Sequence, residues 1–117
     1  MMYRHYAPLG DMWLVEGAME SVVHNINELT KEKQKLGYKV AVIGTDENID
    51  KYQADIVRSM GSRKDPAAIG ANLYGTLREM DQLGAQIIYG ESYGEEEFFA
   101  AIRNRILKAA GYQILKV

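Results

Sequence analysis

A chain of 117 residues with 14 basic and 16 acidic side chains, a formal charge of −2 and 47% hydrophobic residues fits one domain around one core. At this size roughly two-thirds of the unfolded surface can be buried, so stability needs no metal or disulfide, and the absence of cysteine excludes a disulfide framework and thiolate chemistry. The balanced charge argues against direct nucleic-acid binding, which needs a clustered basic surface. With no signal peptide and no apolar run of about 18 residues, the chain reads as cytoplasmic and free of the membrane.

The first segment in chain order is Tyr3-Arg4-His5-Tyr6-Ala7-Pro8. It carries two aromatic rings, a guanidinium and an imidazole, and no hydrophobic period runs through it, so it is no core element. Bulky hydrogen-bonding side chains on an irregular segment need a surface to dock on. The segment therefore looks cut from a longer protein.

Met12-Trp13-Leu14-Val15 predicts a strand. From Ala18 to Leu36 the apolar residues Met19, Val22, Val23, Ile26 and Leu29 recur at helical spacing, and Gly37 stops the helix. Lys39 to Gly44 is a β-branched run of the kind found in strands covered on both faces. Asp46 to Gln53 is polar and fits a loop or one short helix; Asp55 to Met60 predicts a third strand. Asp65-Pro66 starts a second long helix, with an N-cap carboxylate and a proline at the first turn. Its apolar stripe is Ile69, Leu73, Leu77 and Met80, and Gly84 ends it. Ala85 to Tyr89 predicts a fourth strand and Glu91 to Gly94 a loop. Glu95-Glu96-Glu97 is expected in the first turn of a last helix, favourable for its dipole, with Phe98, Phe99, Ile102, Ile106 and Ala109 on the buried face. Gln113 to Val117 fits an edge strand or a loose tail.

Alternation of strands and helices predicts an α/β fold, a three-layer Rossmann-like domain with a mostly parallel sheet of four or five strands flanked by helices. The right-handed crossover rule suggests the strand order 3-2-1-4.

Catalytic motifs are missing. The first strand-to-helix turn, Glu16-Gly17-Ala18-Met19-Glu20, holds one glycine where a dinucleotide site needs three, so it reads as a plain turn, and Asp46 as a turn residue. His24 lacks a second ligand at metal spacing, so no metal site is expected. Arg103, Arg105 and Lys108 are too few for a nucleic-acid patch. Gly70 and Gly75 interrupt the second helix at about 1 kcal/mol each relative to alanine, which close packing would explain. No catalytic residue is expected in this chain, and no cofactor.

Four stretches together resemble one family. Tyr3 to Pro8 looks like the interdomain linker Gly-Met-Lys-Tyr-Arg-His-Tyr-Ala/Ser-Pro of the long, two-domain threonylcarbamoyl-AMP synthases, with Met2 in place of the lysine. Ala71-Asn72-Leu73-Tyr74 with Leu77, Arg78 and Asp81 resembles the A-x-L-Y-x-x-L-R-x-x-D helix of their small domain. Ala101 to Ala110, including Asn104 and Arg105, resembles its A-I-x-N-R-L-x-K-A-A helix, and the Lys39 to Gly44 strand falls where the family has one. The resemblance covers essentially the whole chain. It implies that residues 1–10 are the end of an interdomain linker and residues 11–117 a small C-terminal accessory domain that follows a YrdC-type catalytic domain in cis. The implied parent activity joins L-threonine, bicarbonate and ATP, with magnesium as the expected metal there, into threonylcarbamoyl-AMP and pyrophosphate for tRNA modification. Tyr3, Arg4, His5, Tyr6 and Pro8 are then implied to gate the catalytic cavity. Leu73, Tyr74, Leu77, Arg78, Asp81, Asn104 and Arg105 are implied to be structural. The competing reading is a stand-alone ligand-sensing or protein-docking module without catalysis.

Overall fold

The computed structural model describes residues 7–117, so Tyr3, Arg4, His5 and Tyr6 lie outside the described residues. The elements are β1 (Asp11–Glu16), α1 (Met19–Lys35), β2 (Val40–Gly44), a 3-10 turn (Ile49–Lys51), β3 (Ile56–Ser59), α2 (Pro66–Gln82), β4 (Ile87–Glu91), a second 3-10 turn (Glu97–Phe99), α3 (Ala100–Ala109) and β5 (Ile114–Lys116). All five strands are parallel and stand in the order β3-β2-β4-β1-β5. The α/β class follows the hydrophobic pattern, and the tail is an edge strand on β1.

The strand order corrects the expected 3-2-1-4: β4 sits between β1 and β2. That expectation put β2 directly beside β1 and β4 on the far side of β1. Here the α1 crossover leaves a gap beside β1, and α2 later returns the chain into it. Side-chain size explains the fit. In register, Leu14 of β1 and Ile43 of β2 flank Gly90 of β4. A Cβ at Gly90 would meet Leu14 Cδ2 at 3.2 Å and Met12 Cε at 3.5 Å, so a small residue in the central strand lets its neighbours' large side chains close over it.

Period-two alternation divides the core into two layers. Met12, Leu14, Ala41, Ile43, Ile56 and Ile88 face α2 and α3, where they meet Ile69, Leu73, Leu77, Met80, Ile102 and Ile106. Val15, Val40, Val42, Ile87 and Tyr89 face α1, where they meet Val22 and Ile26, with Tyr52 from the β2–β3 connection in the same layer. Gly70 is explained by the crossing of α2 and α3: a Cβ there would stand 3.2 Å from Ile102 Cγ2 and 3.3 Å from an Arg105 nitrogen. Gly75 has only Arg78 near it, and nothing in the structure explains it.

The last helix begins later than its charges suggest. Glu97 belongs to the 3-10 turn and α3 starts at Ala100, so Glu95, Glu96 and Glu97 are not its first turn. The extra turn lets Phe99 pack edge-on against Phe98 and tilted against the buried Tyr93. Phe98 is consequently turned outward and 61% exposed, not on the buried face. The polar Asp46 to Gln53 stretch forms only a single 3-10 turn.

Candidate functional site at the carboxyl ends of the strands

In an open α/β sheet ligands bind beyond the carboxyl ends of the strands, where neighbouring connections leave on opposite faces. β1 continues into α1 on one face and β4 into α3 on the other, so the β1/β4 crevice is such a point. Glu91 ends β4 there and is fully buried, on the α1 side of the sheet by alternation from Ile87 and Tyr89. Gly44 makes room for it: a Cβ at that position would stand 2.9 Å from Glu91 Oε2.

A buried carboxylate persists only with donors around it. Thr45 Oγ1 donates to Glu91 Oε1 at 2.8 Å, and Tyr52 hydroxyl donates to Oε2 at 2.6 Å. Asn48 Nδ2 lies 3.4 Å from Oε2. Arg63 approaches from the β3–α2 loop, its Nε 3.3 Å and a terminal nitrogen 3.1 Å from Oε1. The same terminal nitrogen donates to the Ser92 carbonyl at 2.7 Å, and the guanidinium lies 4.6 Å over the Tyr93 ring. Burial pushes the Tyr52 phenol far up, and its hydrogen bond to Glu91 adds to that. Burial also raises Tyr93, against the opposing charge of Arg63. Both tyrosines therefore keep their protons well above neutral pH, and Tyr52 keeps its bond to Glu91.

Beside this cluster lies a cavity of about 190 Å³, lined by Glu16, Gly17 and Met19 after β1, Ser92 to Glu95 after β4, Arg63, and Arg103 of α3. Arg103 donates to the Gly94 carbonyl at 2.8 Å. Gly17 turns the chain at φ 155°, where a Cβ would run into the Val117 carbonyl, and Ala18 leads into α1 with no side-chain cap. Two carboxylates and two guanidiniums thus converge on one opening, which suits recognition of charge and offers no evident nucleophile–base pair. Among the described residues no cluster of histidine, aspartate or glutamate could hold a metal ion, and no helix is long and apolar enough to cross a membrane.

The residues singled out from the sequence lie elsewhere. Leu73 and Leu77 are buried under α2, and Tyr74 packs half-buried against the same layer. Arg78, Asn104 and Arg105 are exposed, as is His24. Asp81 has a specific contact: its Oδ1 accepts the backbone N–H of Leu9 at 2.8 Å, tying the entering chain just after Pro8 to α2. Asp46 accepts from Ser59 and serves its turn. Sequence reasoning missed Glu91, Arg63, Tyr52, Thr45 and Asn48, and took Glu91 for a loop residue. The available signal was an acid directly after the apolar run Ile87-Ile88-Tyr89-Gly90, at the carboxyl end of a strand.

Comparison with known proteins agrees across the chain. Residues 1–111 match the family model described as threonylcarbamoyl-AMP synthase, C-terminal domain. A Pyrococcus abyssi protein named threonylcarbamoyl-AMP synthase is 39% identical over 117 residues, 100% of this chain and 33% of that protein. The Bacillus subtilis protein of the same name is 36% identical, with 99% of this chain and 32% of that protein covered. The crystal structure of P. abyssi Sua5 complexed with L-threonine superposes with a TM-score of 0.84 at 39% identity, over 100% of this chain and 33% of that one. The C-terminal Sua5 domain from Pyrococcus horikoshii gives 0.76 at 35% identity, over 95% of this chain and 100% of that one. The chain thus spans about a third of the length of the curated relatives it matches. With its whole length aligned and its five-stranded parallel fold shared, the chain belongs to the family of threonylcarbamoyl-AMP synthase C-terminal domains.

Proposed function

We propose that this chain is the accessory and regulatory domain of a cytoplasmic threonylcarbamoyl-AMP synthase. The parent would use L-threonine, bicarbonate and ATP to form threonylcarbamoyl-AMP and pyrophosphate, in the biosynthesis of threonylcarbamoyladenosine in tRNA. The match of residues 1–111 to the C-terminal domain carries this reading, because the relatives extend for twice that length again. Catalysis, ATP and magnesium belong to a YrdC-type domain preceding this one in cis.

The segment Tyr3 to Pro8 acts as the gate of that catalytic cavity. Threonylcarbamoyl-AMP is labile to water, so a lid must exclude it. Arg4 offers a forked cation for a phosphate oxygen, His5 a group that donates or accepts, and Tyr3 and Tyr6 faces for stacking. The Asp81 contact to Leu9 supports this by giving the hinge end of the segment a fixed post on α2.

The test is pyrophosphate release from ATP, L-threonine and bicarbonate. The parent is expected to turn over and the 117-residue chain to be inert. Arg4→Ala in the parent should lower turnover roughly 10- to 150-fold, from loss of a charge-assisted bond of about 1.5–3 kcal/mol, with an unchanged melting curve. Wild-type turnover in both Arg4→Ala and His5→Ala would reduce the segment to a tether. The charged cavity favours one further reading, a stand-alone ligand-sensing module. An upstream reading frame without a catalytic domain would decide for it.

A further inference from the structure

The cavity beside Glu91 opens at the switch point between β1 and β4, where an α/β sheet ordinarily receives a ligand. Two observations decide against a dinucleotide. The first is at Gly17. In a dinucleotide fold a glycine after the first strand lets the pyrophosphate come close to the backbone. Here the chain itself takes that space: a Cβ on Gly17 would run into the Val117 carbonyl and stand 3.1 Å from Val117 Cγ2. The Val117 N–H donates to the Glu16 carbonyl at 2.8 Å and holds β5 over the turn. The second is size. A cavity of about 190 Å³ has room for on the order of six waters, hence for a molecule of roughly six to eight non-hydrogen atoms.

Charge narrows the class further. Arg63 is spent on Glu91 and the Ser92 carbonyl. That leaves Arg103 beside Glu16 and Glu95 on the cavity wall. Arg103 gives one terminal nitrogen to the Gly94 carbonyl, and its Nε and other terminal nitrogen have no acceptor among the described residues. Neither Glu16 nor Glu95 has a cation partner among the described residues. At the start of α1 the N–H groups of Met19, Glu20 and Ser21 likewise have no acceptor among them, and no side chain caps the helix. Tyr93 lines the same cavity at 3% exposure, and its hydroxyl has no hydrogen-bond partner among the described residues. Unspent donors and unspent carboxylates thus face one small opening. A phosphate would meet two carboxylates with nothing to balance them, and a simple cation would leave the guanidinium and the helix amides unused. A small molecule carrying both charges satisfies both sets.

We propose that this cavity binds a small free α-amino acid. Its carboxylate is taken by Arg103 and the first amides of α1, as a helix start takes an anion. Its ammonium is taken by Glu16 and Glu95, and the Tyr93 hydroxyl adds a hydrogen bond without adding charge. Every one of these residues lies in this domain, so the binding needs no contribution from a catalytic domain.

Isothermal titration calorimetry of the 117-residue chain with glycine, L-alanine, L-serine and L-threonine tests this; the P. horikoshii domain, solved as a chain of its own, indicates that the isolated domain folds. Working on the isolated chain keeps the substrate site of the parent out of the measurement. At least one of the four is expected to bind saturably, one to one, with a Kd below about 1 mM. Its N-acetyl derivative and its amide, each lacking one charge, should bind about tenfold more weakly or worse. Arg103→Met should cause a similar loss. That change also removes the Gly94 bond, so Glu16→Gln, which keeps the shape of the side chain, carries the same expectation with an unchanged urea midpoint. No saturable binding by any of the four overturns the proposal. So does tighter binding of inorganic phosphate or NAD, which would make the opening an anion or dinucleotide site. Equal affinity for the N-acetyl derivative and the amide, or full affinity in Glu16→Gln, overturns it as well, since paired charge is then not what is recognised.

Discussion

Glu91 is the residue on which the carboxyl end of this domain is organised. Its charge is out of water, and four side chains from the β2–β3 connection and the β3–α2 loop aim hydrogen bonds at it. Removing one partner of a buried pair leaves the other uncompensated, which commonly costs about 3–5 kcal/mol. Arg63→Met should therefore lower the unfolding free energy by about that much in urea titration. A loss below about 1 kcal/mol would mean that the hydrogen bonds from Thr45, Asn48 and Tyr52 hold the carboxylate without Arg63. Tyr52 gives the cluster a signature at high pH. Its folded-state pKa is raised above that of the unfolded phenol, by burial first and then by Glu91. The unfolded tyrosine loses its proton near pH 10 while the folded one keeps it, so its share of stability is complete below about pH 10 and declines above it by about 1.4 kcal/mol per pH unit. Tyr93, raised by burial, adds to the decline. Tyr52→Phe should flatten the fall in stability between about pH 10 and 12 by roughly one tyrosine's share, measured as urea midpoints against pH; an unchanged slope would place the ionisation elsewhere.

Among the elements, α2 illustrates how a helix is specified and what it holds. Asp65 caps it, its Oδ1 3.2 Å from the Ala68 N–H, and Pro66 occupies the first turn. Ile69, Leu73, Leu77 and Met80 bury one face against the sheet and α3. Gly70 brings Ile102 and Arg105 of α3 close, so the glycine that weakens the helix locally is what lets the two helices approach. Leu73 is 1% exposed, and Leu73→Ala should cost roughly 2–5 kcal/mol in urea unfolding. A change under about 0.5 kcal/mol would contradict its burial. The polar edge of the same helix has a second task. Asp81 faces the entering chain and receives Leu9, so the residues that resemble the family's motif divide between packing α2 and anchoring what precedes it.

At the scale of the molecule, two core layers on either side of one continuous parallel sheet predict a single cooperative unit. Urea unfolding of the isolated chain should be one transition with a slope of about 1–3 kcal/mol/M; two resolved transitions would mean that the α1 layer and the α2/α3 layer separate. The sequence by itself determined the elements and their faces, because apolar spacing of two or of three and four is local and needs no partner. Val22 and Ile26, Val40 and Val42, Leu73 and Leu77 are all buried where their periods place them. The family resemblance was also legible there, in short runs whose order along the chain is itself the signal. The place of β4 between β1 and β2 was decided only in three dimensions, where it sets Gly90 beside Leu14 and Ile43, residues far apart in the chain. The outward turn of Phe98 depends on Tyr93 and Phe99 filling the space it would have used. The Glu91 cluster gathers residues from 45 to 91 by hydrogen bonds that leave no period in the sequence. Hydrophobic pattern is a property of neighbours along the chain, whereas strand order, size matching and a buried charge's donors are properties of neighbours in space.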